Sequence, residues 1–326
     1  MAYRNLIRLT LVLALCVIVL GAYTRLVDAG LGCPDWPGCY GQLLVPDSAE
    51  EVENKAYLEQ RPLEPHKGWA EMVHRYFAGA LGLLILIITV LSWRRRRIDP
   101  EQPVWLPSFL LAVVIFQALL GMWTVTLLLK PVVVMGHLLG GFTTLALLLL
   151  LLLRSGPQVG GWMSQKLRGW ALLGLVVLVL QIALGGWTST NYAALACTDF
   201  PTCHGQWWPE ADFDEAFVMW RGLGVNYEFG VLEHPARTAI HLTHRIGALI
   251  TFLYLGGLVL AMFRQGGRVA GAGLMVGLLL LLQIGLGISN ILFHLPLPVA
   301  VAHNAVAALL LLSLVYGNYL LWQRQH

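Results

Sequence analysis

The sequence predicts an all-α polytopic membrane protein: eight transmembrane helices in two tandem-duplicated four-helix bundles. Three observations carry this expectation. Hydrophobic residues make up 57% of the chain and charged residues 12%, with a mean hydropathy of +0.69, a balance typical of membrane rather than soluble proteins. Eight apolar stretches reach the roughly 20 residues that a membrane-crossing helix needs, at approximately 6–26, 69–93, 104–128, 131–153, 168–189, 237–263, 269–292 and 297–321. Finally, GAYTRLVDAGLGCPDWPGCYGQ (Gly21 to Gln42) matches GGWTSTNYAALACTDFPTCHGQ (Gly185 to Gln206) at ten of 22 positions, without a gap, at a constant offset of 164. Four segments per copy is what a duplication of about 160 residues requires. No stretch alternates with the period of a membrane strand, which excludes a β-barrel.

The first segment has Arg4 and Arg8 ahead of its apolar run and so resembles a secretory leader. No small-residue cleavage site follows, and its C-terminal end belongs to the repeated unit, so it reads as a retained span. A long loop, roughly 27–68, leads to the second segment, which ends in the run Arg94 to Arg97. Gln117 marks the third segment and His137 the fourth, before a short connection with Arg154, Lys166 and Arg168. The fifth carries Gln181 and opens into a second long loop, roughly 190–236. His244 lies in the sixth, Gln283 in the seventh after Arg264 and Arg268, and His303 in the eighth, ahead of Arg324. Arg4, Arg8, the run Arg94 to Arg97, the Arg154/Lys166/Arg168 connection, Arg264, Arg268 and Arg324 then all fall on one side. The positive-inside rule makes that side cytoplasmic, with both termini inside, in the inner membrane of a bacterial cell. The two long loops face outward and hold most of the acidic residues. A net charge of +3, with basic residues confined to helix ends, gives nucleic-acid binding no support.

Four of the five cysteines form two C-x5-C pairs, Cys33/Cys39 and Cys197/Cys203, both in outward loops. That side of a bacterial inner membrane is oxidising, so two disulfides facing solvent are expected. They serve either as staples for the loops or as redox-active pairs that exchange with a thiol partner. A metal is the rival reading, because His204 adjoins Cys203. Cys16, within the first segment, reads as packing.

Histidines inside spanning helices are costly and face a bundle interior or a cavity. Four stand at matched places: His74-Arg75 answers to His244-Arg245 at an offset of 170, and His137 to His303 at 166, as does Gln117 to Gln283. Each lies some six to eight residues into a helix entering from the outer side, about 10 Å below the surface. Two imidazoles per bundle at one depth is the donor set that holds a haem iron. Gly79, Gly136, Gly140, Gly141 and Gly247 would let a flat macrocycle approach. Arg75 and Arg245 are candidate partners for haem propionates, with snorkelling to the headgroups as the alternative. The glutamines read as interhelical hydrogen-bonding groups.

The copies differ at one telling position. Three residues before the histidine, the first has Glu71 where the second has His241. Residues three apart share a helix face, so a carboxyl group is expected beside one site and absent from the other. That makes Glu71 the candidate for proton transfer or for stabilising developing positive charge. His241 also leaves a choice of ligand in the second half, where the repeated His-Arg pair favours His244.

These residues resemble the haem A synthase family, in the bacterial branch with two cysteine pairs. The resemblance rests on Gly30-Leu31-Gly32-Cys33-Pro34-Asp35-Trp36-Pro37 with Cys39, Glu71-x-x-His74-Arg75, His137, the Cys197/Cys203 pair, His244-Arg245 and His303, and covers nearly the whole chain. It implies an oxidoreductase acting on a CH group: the C8 methyl of haem O becomes a formyl group, with water as the oxygen source, to give haem A for terminal oxidases. It implies that residues 1–160 form the bundle binding substrate haem O through His74 and His137, with Glu71 as the catalytic carboxylate. Residues 161–326 would hold a haem b cofactor through His244 and His303. It further implies that the Cys33/Cys39 disulfide takes part in the reaction. A haem O synthase and an electron acceptor are the candidate protein partners, besides the lipid bilayer. The main alternative is a di-haem b-type electron-transfer cytochrome, which accounts for the four histidines and the duplication but gives Glu71 no task. A haem chaperone is a second alternative. A transporter is disfavoured, since no broken helices or charged midplane path appear.

Overall fold

The computed structural model describes residues 2–156 and 165–322. Arg324 and the boundary between residues 160 and 161 lie outside them. The elements are α1 (Ala2–Leu26), α2 (Ala56–Gln60), α3 (Pro65–Arg96), α4 (Trp105–Thr126), α5 (Pro131–Arg154), α6 (Gln165–Thr190), α7 (Phe213–Ala216), α8 (His234–Phe263), α9 (Gly267–Leu292) and α10 (Leu297–Trp322). All except the short α2 and α7 are long and apolar enough to cross a membrane. Among the described residues there is no strand, only isolated bridges between Cys39 and Gln42 and between Cys203 and Gln206.

Helix starts follow local chemistry. Proline stands in the first turn of α3, α5 and α8, where a missing N–H costs nothing. Two of these helices begin a turn before the apolar runs do, at Pro65 and His234, because hydropathy does not register a polar first turn. The histidines are consequently not equally far along their helices. His137 and His303 stand six residues past Pro131 and Leu297, whereas His74 and His244 stand nine and ten past Pro65 and His234.

In the first half α1 packs on α3 and α5, and α4 closes the ring by packing on the same two. In the second half α6 packs on α8 and α10, and α9 closes that ring. The rings meet where α10 touches α1 and α5, and where α5 touches α6. This pattern fits two four-helix bundles related by a two-fold axis. Counterparts even touch one another: Arg25 Nη2 donates to the Ser189 carbonyl at 2.6 Å, the Tyr192 hydroxyl to Asp28 at 3.1 Å and the Tyr319 hydroxyl to the Leu153 carbonyl at 3.0 Å. Each pair is separated by an offset of 164 or 166. A residue meets its own counterpart only near the axis relating them. The first two pairs lie at the end of the helices that carries the disulfide loops and the third at the opposite end, so such an axis would run along the helices. A continuous apolar core, with Ile7, Leu145, Leu148, Leu310 and Leu314 among its members, joins both rings. Close packing rather than release from water holds such helices together in lipid. Cys16 does not belong to this core but lies exposed on α1.

The outer loops are folded. The first lies on the start of α3, where Cys33, Cys39, Tyr40, Val45 and Met72 cluster. The second sends a strap back over the first bundle. There Tyr227 packs with Leu31, Val125 and Leu129, its N–H bonds the Leu128 carbonyl at 3.0 Å, and Glu228 accepts both forks of Arg61 at 2.8 and 2.7 Å.

Candidate functional site

Both cysteine pairs form disulfides, Cys33–Cys39 and Cys197–Cys203. An aspartate between the cysteines organises each loop. Asp35 accepts the N–H groups of Tyr40 and Gly41 at 2.6 and 2.9 Å. Asp199 accepts those of His204 and Gly205 at 2.6 and 3.0 Å, and the Thr202 hydroxyl at 2.6 Å. The Thr202 hydroxyl and the Gly205 N–H hold its carboxyl well below the usual carboxylate range by bonding the charged form. The four cysteines are buried rather than facing solvent as the loop position implied. Each loop folds down on the helix that follows it. At Gly68 a Cβ would lie 2.8 Å from Val45 and 3.5 Å from Cys39 Sγ, so that contact depends on glycine.

The terminal nitrogens of the His-Arg arginines bond these loops. Arg75 Nη1 donates to the carbonyls of Asp35, Pro37 and Gly38 at 3.0, 3.2 and 2.5 Å. Arg245 donates to those of Thr202, Cys197 and Asp199 at 2.8, 3.2 and 2.8 Å. They bind the cysteine loops onto the helices, a task that motif spacing alone did not reveal. Glu71 and His241 occupy the same place in this scheme. Glu71 accepts the Cys33 N–H at 2.9 Å and Arg75 Nη2 at 2.5 Å. His241 Nδ1 stands 2.9 Å from the Ala193 carbonyl and 3.4 Å from Cys197 N. The shorter contact sets the tautomer, with Nδ1–H donating to Ala193. Glu71 therefore turns its carboxylate to the loop that roofs the first site instead of standing free beside His74, and His241 likewise faces its loop.

His74 and His137 come together in the first bundle, with ring centres 6.4 Å apart and planes at 82°. An imidazole nitrogen bonds a metal at about 2.0–2.1 Å. Adding the distance from nitrogen to ring centre on each side gives a span of about 6 Å, so an iron fits between these rings without displacing the helices. Nδ1 of both rings is buried without a partner, an arrangement that a site built to hold a polar or metallic centre accounts for. In the second bundle Gln181 Nε2 stands 3.2 Å from His244 Nδ1, and Gln283 Nε2 stands 3.2 Å from His303 Nε2. Binding a metal through that His303 nitrogen requires Gln283 to let go. Oε1 of Gln117, Gln181 and Gln283 is unpartnered too, while Gln117 Nε2 donates to the His137 carbonyl at 2.8 Å.

A further regularity concerns glycine. A Cβ on Gly21, Gly121, Gly185 or Gly287 would meet Cε1 of His74, His137, His244 or His303 at 2.9, 3.4, 3.3 or 3.2 Å, respectively. Each histidine leans on a glycine of a neighbouring helix, at offsets of 164 and 166 that reproduce the duplication. These offsets were readable, since Gly21 and Gly185 open the repeated stretch. The glycines first singled out act otherwise: Gly140 and Gly141 adjoin Gln117, Gly247 adjoins Gln181, and Gly79 faces open space. His204 Nε2 bonds the Ala196 carbonyl at 2.8 Å. Among the described residues no group of three or more His, Cys, Asp or Glu could hold a bare metal ion.

Comparison with known proteins places the chain in a family. The model of the COX15-CtaA family, described as cytochrome oxidase assembly protein, matches residues 4–315. A protein of Shewanella oneidensis named Heme A synthase is 51% identical over 323 residues, 98% of this chain and 96% of its own length. Proteins of the same name from Caulobacter sp. and Neorickettsia sennetsu are 30% and 27% identical, over 92% and 95% of this chain and 90% and 96% of their own lengths.

Proposed function

Because the chain belongs to the COX15-CtaA family of cytochrome oxidase assembly proteins, we propose that it is a haem A synthase, converting the C8 methyl of haem O to the formyl group of haem A. The bundle within residues 1–160 takes haem O as substrate between His74 and His137. The bundle within residues 161–326 takes haem b as cofactor between His244 and His303, and the cofactor supplies a one-electron relay. The chain lies in a bacterial inner membrane with its termini in the cytoplasm and its disulfide loops outside, as the basic helix ends favour.

One observation carries the division of labour. In a pseudo-symmetric frame, the roof of one site holds a carboxylate, Glu71, where the other holds an imidazole, His241. Converting a methyl to a formyl group consumes one water and releases four electrons and four protons. It proceeds through an alcohol and then a hydrated aldehyde that loses water. Water and substrate both need a group that takes up protons. Glu71 is that group. Its helix carries His74 one turn deeper, Arg75 pairs with it at 2.5 Å, and the Cys33 N–H fixes its other oxygen. The Cys33–Cys39 disulfide therefore lies one hydrogen bond from the carboxylate, in place to sense or tune it. The di-haem cytochrome alternative leaves this carboxylate only its contacts to the loop.

The test is haem analysis of cells that lack their own haem A synthase but make haem O, supplied with this chain or with Glu71→Ala. Chromatography and mass spectrometry should find haem A with the former, and haem O or its alcohol with the latter. If the folded, haem-loaded chain yields no haem A, the proposal fails.

A further inference from the structure

With the terminal nitrogens of Arg75 and Arg245 bonded to loop carbonyls, and Nε of Arg245 left buried without a partner, the carboxylates of a bound tetrapyrrole call for further cations. Three basic residues stand seven positions before one of the four histidines: Lys67 before His74, Lys130 before His137 and Arg237 before His244. Seven residues are two helical turns, about 10 Å along the axis, and return to the same face. That matches the reach from the centre of a porphyrin to its propionate carboxylates. Lys67 is already paired with Glu64 at 3.0 Å. The other two are not paired with any carboxylate among the described residues.

Their settings are unusual for cations. Lys130 is only 2% exposed and caps the N-terminus of α5. Its Nζ donates to the Gly222 carbonyl and stands 3.2 Å from the centre of the Trp220 ring, which leaves donors of the ammonium free. Arg237 lies in the first turns of α8, and its Nε is buried without a partner. A helix N-terminus carries partial positive charge and disfavours a cation. A buried charge without its opposite is costlier still. Lys130, buried, and Arg237, half-buried with its Nε unpartnered, each two turns outward from a candidate iron ligand, point to an anion that arrives with a ligand.

We propose that Lys130 in the first bundle and Arg237 in the second anchor the outward-directed propionates of the tetrapyrroles held by the histidines two turns below. This rests on the haem-binding reading above. Lys130 has no counterpart across the duplication, where Pro296 stands, and Arg237 answers to Lys67. The two sites thus grip their ligands from different helices. The first anchor is held by a strap from the second half, through Trp220 and Gly222, so substrate binding couples to that strap.

The experiment titrates the full chain, prepared haem-free in detergent, with haem b and with haem b dimethyl ester, whose propionates carry no charge. Absorbance reports binding. Wild type should bind haem at two low-spin sites and the ester more weakly at both. A charge-assisted hydrogen bond is worth roughly 1.5–3 kcal/mol, so Lys130→Met should weaken one site about ten- to hundredfold for haem and leave ester binding unchanged. Arg237→Met should do the same at the other site, and the charge-keeping Lys130→Arg and Arg237→Lys should recover most of the loss. Variants that bind haem like wild type, or that lose haem and ester alike, would overturn the anchors while leaving the haem-binding reading standing. A wild type that binds no low-spin haem would overturn both.

Discussion

Replacing Glu71 by histidine, the residue its counterpart position carries, separates what that side chain holds from what it does. Removing it outright, as in Glu71→Ala, leaves Arg75 and the Cys33 N–H without their buried acceptor. Breaking a buried ion pair from one side costs about 3–5 kcal/mol. Histidine is different, because the second half already solves the same problem with it. There Arg245 bonds three loop carbonyls and no carboxylate, and the His241 ring holds the loop through the Ala193 carbonyl at 2.9 Å. Arg75 bonds three carbonyls as well. Glu71→His should therefore cost no more than one charge-assisted hydrogen bond, about 1.5–3 kcal/mol. Thermal unfolding in detergent should place it between wild type and Glu71→Ala, with both disulfides intact by mass. Haem A formation should nevertheless fall as far as in Glu71→Ala. Near-normal haem A formation by Glu71→His would refute the catalytic role and leave Glu71 as a loop anchor. Unfolding as early as Glu71→Ala would refute the structural equivalence.

Other perturbations follow from the same geometry. A Cβ on Gly21 meets the His74 ring at 2.9 Å, closer than side-chain carbons approach, whereas one on Gly185 meets His244 at 3.3 Å. Gly21→Ala should abolish haem A formation while leaving bound haem b intact, and Gly185→Ala should lose little of either; equal effects on both haems would contradict this. Arg61→Ala strands Glu228, whose side chain is 8% exposed, at a cost of about 3–5 kcal/mol. Limited proteolysis should then cut the strap between residues 217 and 232, and Arg61→Ala with Glu228→Ala should be cut less readily. Asp199, with its folded pKa depressed, contributes fully above the ordinary carboxylate value of about 3.9. That contribution is lost only as pH falls toward the depressed value. The Cys197–Cys203 bond should therefore react with a phosphine reductant equally slowly at pH 7 and pH 4.5, and faster reduction at the lower pH would argue against the Asp199 turn.

Much of this was legible in the chain. Apolar runs located all eight spans within a turn, because lipid demands about 20 apolar residues whatever the tertiary partners. Offsets of 164 to 170 between matched residues exposed the repeat, the histidines and the Glu71/His241 contrast. What escaped was everything set by contacts across the fold. In the sequence Arg75 reads equally as a propionate partner or as a group snorkelling to the headgroups; its role as a loop anchor emerges only where Asp35, Pro37 and Gly38 turn their carbonyls toward it. Burial of the disulfides depends on Gly68 admitting the loop, which cysteine spacing does not disclose. The strap over the first bundle is formed by residues from the other half, such as Tyr227 and Glu228. No local pattern marks them.

The central claim is that the two histidine pairs serve different haems. The direct measurement is the haem content of purified protein from haem O-producing cells, for wild type, His74→Ala with His137→Ala, and His244→Ala with His303→Ala. Wild type should hold haem b together with haem O or its oxidised products. The first double variant should retain haem b and lose the others, and the second should lose haem b. If the first double variant loses haem b, or if both variants lose the same haems equally, the assignment of substrate and cofactor to separate bundles is contradicted.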